Sequence, residues 1–117
     1  MAGQHAELTE EAWSRWSRDR QILSIAAEMF RAQKRLKLGD LTEVRLGYER
    51  VLNLTDLTVA VNPARGLRRE LLRWREVVAE LYLATVPSLA DHDAALGVLL
   101  TFSRAAFEQR PYLVPGA

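Results

Sequence analysis

The chain contains no cysteine. That absence excludes disulfides, thiolate nucleophiles and cysteine-ligated zinc or iron–sulfur sites. Histidine is nearly as scarce, with His5 and His92 the only two. Excess charge of one sign is also missing: 16 Lys+Arg stand against 15 Asp+Glu, a net charge of +1. Bulk electrostatics therefore offers no pull toward nucleic acid or an anionic membrane. Long apolar runs are absent too. The longest stretches without a charge are Leu81–Ala90 and Ala94–Ser103, about half the ~20 residues a membrane-spanning helix needs. Met1–Glu11 has neither the basic start nor the apolar core of a signal peptide. These gaps lead to the expectation of a cytoplasmic protein with no membrane anchor.

What is present suits one globular domain over 1–117. The chain has 117 residues, 49% of them hydrophobic and 26% charged, enough apolar surface to build a core. Four amphipathic segments carry start and stop signals. The first opens at Thr9, with Glu10 and Glu11 behind it and Leu8 and Trp13 at the staple positions. Its apolar residues run to Phe30, and cations followed by Gly39 close it. As one rod over 10–38 it would be ~43 Å long, longer than its neighbours, with a bend near Ser17 as the alternative. Residues 1–8 are expected to be flexible.

The second segment opens at Asp40, with Glu43 at capping-box spacing, and carries Leu41, Val44, Tyr48, Val51 and Leu52 on one stripe. Leu57–Val61 alternates as a strand would, but nothing else in the chain could pair with it, so helix is the expectation for 54–61 as well. Asn62-Pro63 ends this segment and starts the next, with Asn62 as cap and Pro63 in the first turn. In the third segment Leu67, Leu71, Trp74, Val78 and Leu81 form a bundle seam that stops before Pro87. Ser88 and Asp91 open the fourth, which Pro111 is expected to end. Residues 111–117 are then a non-helical tail, either folded over the bundle end or free to dock on another chain through Tyr112 and Leu113. Short connections between helices predict an all-α fold, an up-down bundle of four antiparallel helices. Two helical hairpins bent at Asn62-Pro63 are the alternative.

Lys37–Leu54, KLGDLTEVRLGYERVLNL, resembles the second half of a tetratricopeptide repeat in its Gly39-Asp40 turn, Tyr48 and Leu52. The resemblance covers less than one repeat. Val44 and Val51 replace the usual alanines, and no second copy follows at the repeat's period. No family is assigned from it.

Reactive constellations are few. Asp91-His92-Asp93 is the only cluster of metal-ligand types, and neighbours on a helix diverge too far to close on one ion. No base stands beside a serine, and the scattered glycines form no phosphate loop. Glu70, Glu76 and Glu80 lie among arginines, where salt pairing explains them. No catalytic residue, metal or cofactor is expected.

Two surface features point to binding. Arg65, Arg68, Arg69, Arg73 and Arg75 crowd the start of the third segment against Glu70 alone. A helix start disfavours cations, so this cluster predicts an anion or partner site, unless acids such as Asp56 or Glu49 neutralise it. The run Trp13-Ser14-Arg15-Trp16-Ser17-Arg18 places two tryptophans on one helix face beside arginines, a composition enriched at interfaces. Trp13, Arg15 and Trp16 are thus interface candidates, against the plainer reading that both rings cap the core. The basic end Arg31–Lys37 is explained by the helix dipole alone. The leading expectation is a non-enzymatic interaction module that forms a homodimer or binds a partner protein. An anion or nucleic-acid binder is second, and a pocket enzyme or carrier third.

Overall fold

The computed structural model describes residues 8–116. His5 and most of the expected flexible N-terminus lie outside the described residues.

The fold is an all-α helical bundle. Its long helices are α2 (Arg18–Lys37), α3 (Leu41–Val61), α4 (Arg65–Leu83) and α5 (Leu89–Leu99). Shorter helices α1 (Glu10–Ser14), α6 (Arg104–Glu108) and α7 (Arg110–Leu113) and a 3₁₀ turn over Leu100–Phe102 complete the described chain. Paired residues give the helix directions. Gly47 of α3 lies against Ala32 of α2, and Arg50 against Glu28, so these helices are antiparallel. Arg75 of α4 meets Asp56 of α3, and Tyr82 meets Glu49, so the next pair is antiparallel as well. The chain thus reverses over Asn62–Ala64 and does not merely bend there. α5 closes the ring, touching α2 through His92 and Met29 and α4 through Ala95 and Trp74.

Capping follows the expected chemistry at three starts. Thr9, Asp40 and Ser88 each accept a backbone N–H from three residues on. Gly39 ends α2 at φ 74°. The N–H of Asp40 reaches the Arg35 carbonyl at 3.0 Å, and that of Gly39 reaches Leu36 at 3.1 Å. Both carbonyls freed by the helix end are satisfied, in the manner of a Schellman motif. Residues 54–61 are helical. Thr55 and Thr58 hold their hydroxyls against the carbonyls four residues back, which lets buried β-branched polar residues sit inside a helix.

The core runs through Ile22, Ile25, Met29, Tyr48, Leu71 and Leu96, all fully buried. Burial of each aliphatic side chain contributes about 1.5–3 kcal/mol. Glu28, also buried, receives the guanidinium groups of Arg31 and Arg50 and so ties α2 to α3. Burial pushes its carboxyl up, but the hydrogen bonds and charges of the two arginines outweigh that and hold it below the ordinary range.

Four expectations are corrected. The first segment is not one rod over 10–38: it breaks at Arg15–Ser17, where the alternative placed a bend. Ser17 is extended and caps α2, and the side-chain amide of Gln21 donates to the carbonyls of Trp13 and Trp16 freed by the break. The fourth segment is interrupted as well. Ser103 is extended and its hydroxyl accepts the Ala106 N–H, so a new short helix begins there. The tail is not wholly non-helical, because Pro111 sits in the first turn of α7, which runs on to Leu113. In a helix's first turn the missing proline N–H has no partner to lose. Finally, Asn62 does not cap α4. It ends α3, donating to Thr58 and Gln21, and Ala64 precedes α4 without a side-chain cap.

Candidate functional site

α4 carries two parallel seams. The inner one places Leu71, Trp74, Val78 and Leu81 in the core. One position back along the helix runs a second seam at the same spacing: Glu70, Arg73, Val77, Glu80 and Ala84. α5 repeats the arrangement. Leu96 and Leu99 face inward, while Asp91, Ala94 and Val98 follow each other on the outer side.

Between these two outer seams lies a groove of about 740 Å³. Trp74 sets its floor. The indole Nε1 donates to the Ala95 carbonyl at 2.7 Å, so the ring spans the gap between α4 and α5. Leu81 and Ala95 extend the floor, and Val77, Val86, Val98 and Phe102 form apolar walls. Val77, Val86 and Val98 are 42%, 67% and 49% exposed. Charge is confined to the rim. Glu70 and Arg73 stand at the end near Phe102, and Glu80 and Asp91 at the end near the α4–α5 connection. Among the described residues none of these four takes part in an ion pair.

The arginine cluster is divided by the fold. Arg75 holds both carboxylate oxygens of Asp56, at 2.6 and 3.2 Å. Glu49 is occupied by the Tyr82 hydroxyl at 2.9 Å. Arg68 turns back to donate to the Val59 carbonyl at 3.0 Å. Arg73 belongs to the groove rim. Arg65 and Arg69 stay exposed beside Pro63 and Leu72, bordering a shallow depression.

The tryptophan run is largely spent inside the molecule. Trp13 is 1% exposed, which corrects its placement among outward-facing interface residues. Trp16 is half-buried, its ring centroid 4.9 Å from that of Trp13. The Arg20 guanidinium lies 3.8 Å over Trp16 and covers its outer face. Arg15 is exposed and pairs with Glu11 at 2.9 Å. At the other terminus Tyr112 is exposed, while Leu113 and Val114 pack partly against the core. Trp13, Trp16 and Arg31 line one pocket and Arg65, Arg68 and Arg69 another, and the two share no residue.

Asp91-His92-Asp93 points three ways. His92 is fully buried. Its Nε2–H donates to the Met29 carbonyl at 2.8 Å, and Nδ1 accepts the Tyr48 hydroxyl at 2.6 Å. A carbonyl can only accept, so this pairing fixes the neutral tautomer with its proton on Nε2. Burial lowers the His92 pKa against smaller opposing effects of the Met29 hydrogen bond and Asp93. Burial, aided by Asp93, raises that of Tyr48. Asp93 accepts the Gln33 amide at 2.6 Å. These residues stitch α2, α3 and α5 together.

Sequence reasoning passed over Val77, Val86, Val98 and Phe102. The signal was nevertheless present. The two longest uncharged stretches, 81–90 and 94–103, supply most of the groove's floor and walls. No protein-family model, curated protein or solved structure matches the chain.

Proposed function

We propose that the chain is a non-enzymatic protein-interaction module whose binding face is the α4–α5 groove. One observation carries this reading: α5 is apolar on its outer as well as its inner side. Ala94 and Val98 face outward with no charged residue between Asp93 and Arg104. A helix apolar on both sides is normally covered on both. The two walls present apolar side chains at helical spacing, which suits an amphipathic helix laid between them. Charges stay at the rim, as they do in protein interfaces. A cytoplasmic location belongs to the same reading.

Site-specific crosslinking tests it. A photoreactive residue at Val77 or Val98 is expected to capture a protein in the native cells, whether a second copy or another chain. The same residue at Leu46, an exposed position on α3, is the control. Crosslinks at the groove no stronger than at Leu46 overturn the reading.

A second reading, an anion or nucleic-acid binder, rests on Arg65 and Arg69 at the uncapped start of α4. Arg68 and Arg75 donate to protein acceptors instead, which weakens it. Binding to nucleic acid that declines steeply with added salt and is lost in the Arg65→Ala/Arg69→Ala variant would favour it over the first.

A further inference from the structure

We propose that the groove's occupant is a second copy of this chain, related by a twofold axis beside Val77, with the two α4 helices antiparallel. The proposal rests on reading the groove as an interaction face and adds the identity of what fills it.

The order of charges along the groove carries the argument. On the outer seam of α4, Arg73 precedes Val77 by one helical turn and Glu80 follows it by nearly one. Both are exposed, and neither is in an ion pair among the described residues. Asp91, on the α5 wall, lies at the same end as Glu80. Rotation by 180° about an axis at Val77 lays the Glu80 end of one copy on the Arg73 end of the other. Arg73 of each copy then reaches Glu80 of its mate, and two ion pairs flank a central Val77–Val77 contact. On the mate's α4, Glu70 falls opposite the uncharged Ala84. A parallel arrangement sets Arg73 on Arg73 and Glu80 on Glu80, which is repulsive. The seam is complementary to itself in one direction only, as a closed isologous interface requires. The exposed valines supply the apolar centre, while the rim charges select register and orientation.

Charge exchange tests the register on the full-length chain. Sedimentation equilibrium is expected to show a wild-type dimer. Arg73→Glu places Glu opposite Glu80, and Glu80→Arg places Arg opposite Arg73; each should weaken the dimer by at least about tenfold. Mixing the two single variants should produce a heterodimer, because each faulty contact then meets its opposite charge. The double variant Arg73→Glu/Glu80→Arg should recover the homodimer. Positions 73 and 80 lie ~10 Å apart along one helix, so pairing within a chain does not explain the recovery. Circular dichroism verifies that each variant is folded, and Val98→Arg, which charges the wall without touching the pair, should also give a monomer. A monomeric wild type, single variants that dimerise normally, or a mixture without heterodimer overturns the proposal. If the wild type is monomeric but Val98 crosslinks to a different protein, the second copy is wrong and the groove reading stands. If Val98 also fails to crosslink, both fall.

Discussion

The indole Nε1 of Trp13 donates to the Thr58 hydroxyl at 2.9 Å, and that hydroxyl donates onward to the Leu54 carbonyl at 2.7 Å. This chain of bonds holds α1 against α3 after the break at Ser17. Thr58→Val keeps the shape of the side chain and orphans a buried N–H. The expected cost is about 1–3 kcal/mol, measured by urea denaturation. Thr58→Ser keeps the acceptor and should recover the hydrogen-bond part of that loss. Equal stability of wild type and Thr58→Val would show that the indole bond contributes nothing.

The buried His92 predicts a pH dependence. Its folded pKa lies below the ordinary value of 6.5, so in the acid range the unfolded chain binds a proton that the folded chain resists. The stability from keeping His92 neutral is fully present above about pH 6.5 and is lost as pH falls from there through the lower folded pKa. The slope should approach about 1.4 kcal/mol per pH unit. In His92→Gln it should flatten as pH falls below 6.5, although the substitution itself destabilises by breaking the link to Tyr48 and Met29. Glu28 acts lower, because its folded pKa lies below 4.5, so its contribution disappears only as pH drops beneath that value. Denaturation midpoints across the two windows separate the groups.

Two glycines should respond in opposite directions to alanine. Gly39 has φ 74° with nothing within 4 Å of an added Cβ. The cost of Gly39→Ala is therefore purely conformational, about 1–2 kcal/mol. Gly97 lies inside α5 and also has open space around an added Cβ. Gly97→Ala should stabilise by up to about 1 kcal/mol through helix propensity. Thermal melts of both variants decide, and a destabilised Gly97→Ala would mean that α5 packs more tightly there.

Arg65 and Arg69 stand at the positive end of the α4 dipole without an acidic partner among the described residues. Replacing Arg65, the first residue of α4, with alanine should raise stability by about 0.3–1 kcal/mol at low salt, and high salt should erase the gain. A loss of stability would reveal a structural role that the geometry does not provide.

The long elements were legible because their signals are local. Thr9, Asp40, Ser88 and Gly39 act on backbone groups within a few residues, and the seam from Leu71 to Leu81 needs only the helical period. The break at Ser17 was harder to read. Apolar spacing continues across it, and the carbonyls it frees are taken up by Gln21, whose own amide oxygen is held by Asn62 just past the end of α3. Such compensation depends on tertiary contacts. The same reason explains Trp13: its exposure depended on whether a partner for the indole waited on α3. The arginine run was visible as composition, but its division among Asp56, Val59 and the groove rim required the fold. Apart from Val77, the groove walls were legible only as two uncharged stretches, since a groove arises from the spacing of helices and has no period of its own.

Trp74 gives the molecule an optical reporter of its own. Its indole is the floor of the groove and is 3% exposed, close enough to the opening for an arriving side chain to alter its emission. Trp13 lies sealed between α1 and α3 and emits regardless of traffic there. With Trp16 changed to phenylalanine, a blue shift on concentrating the protein registers closure over Trp74, without any label attached.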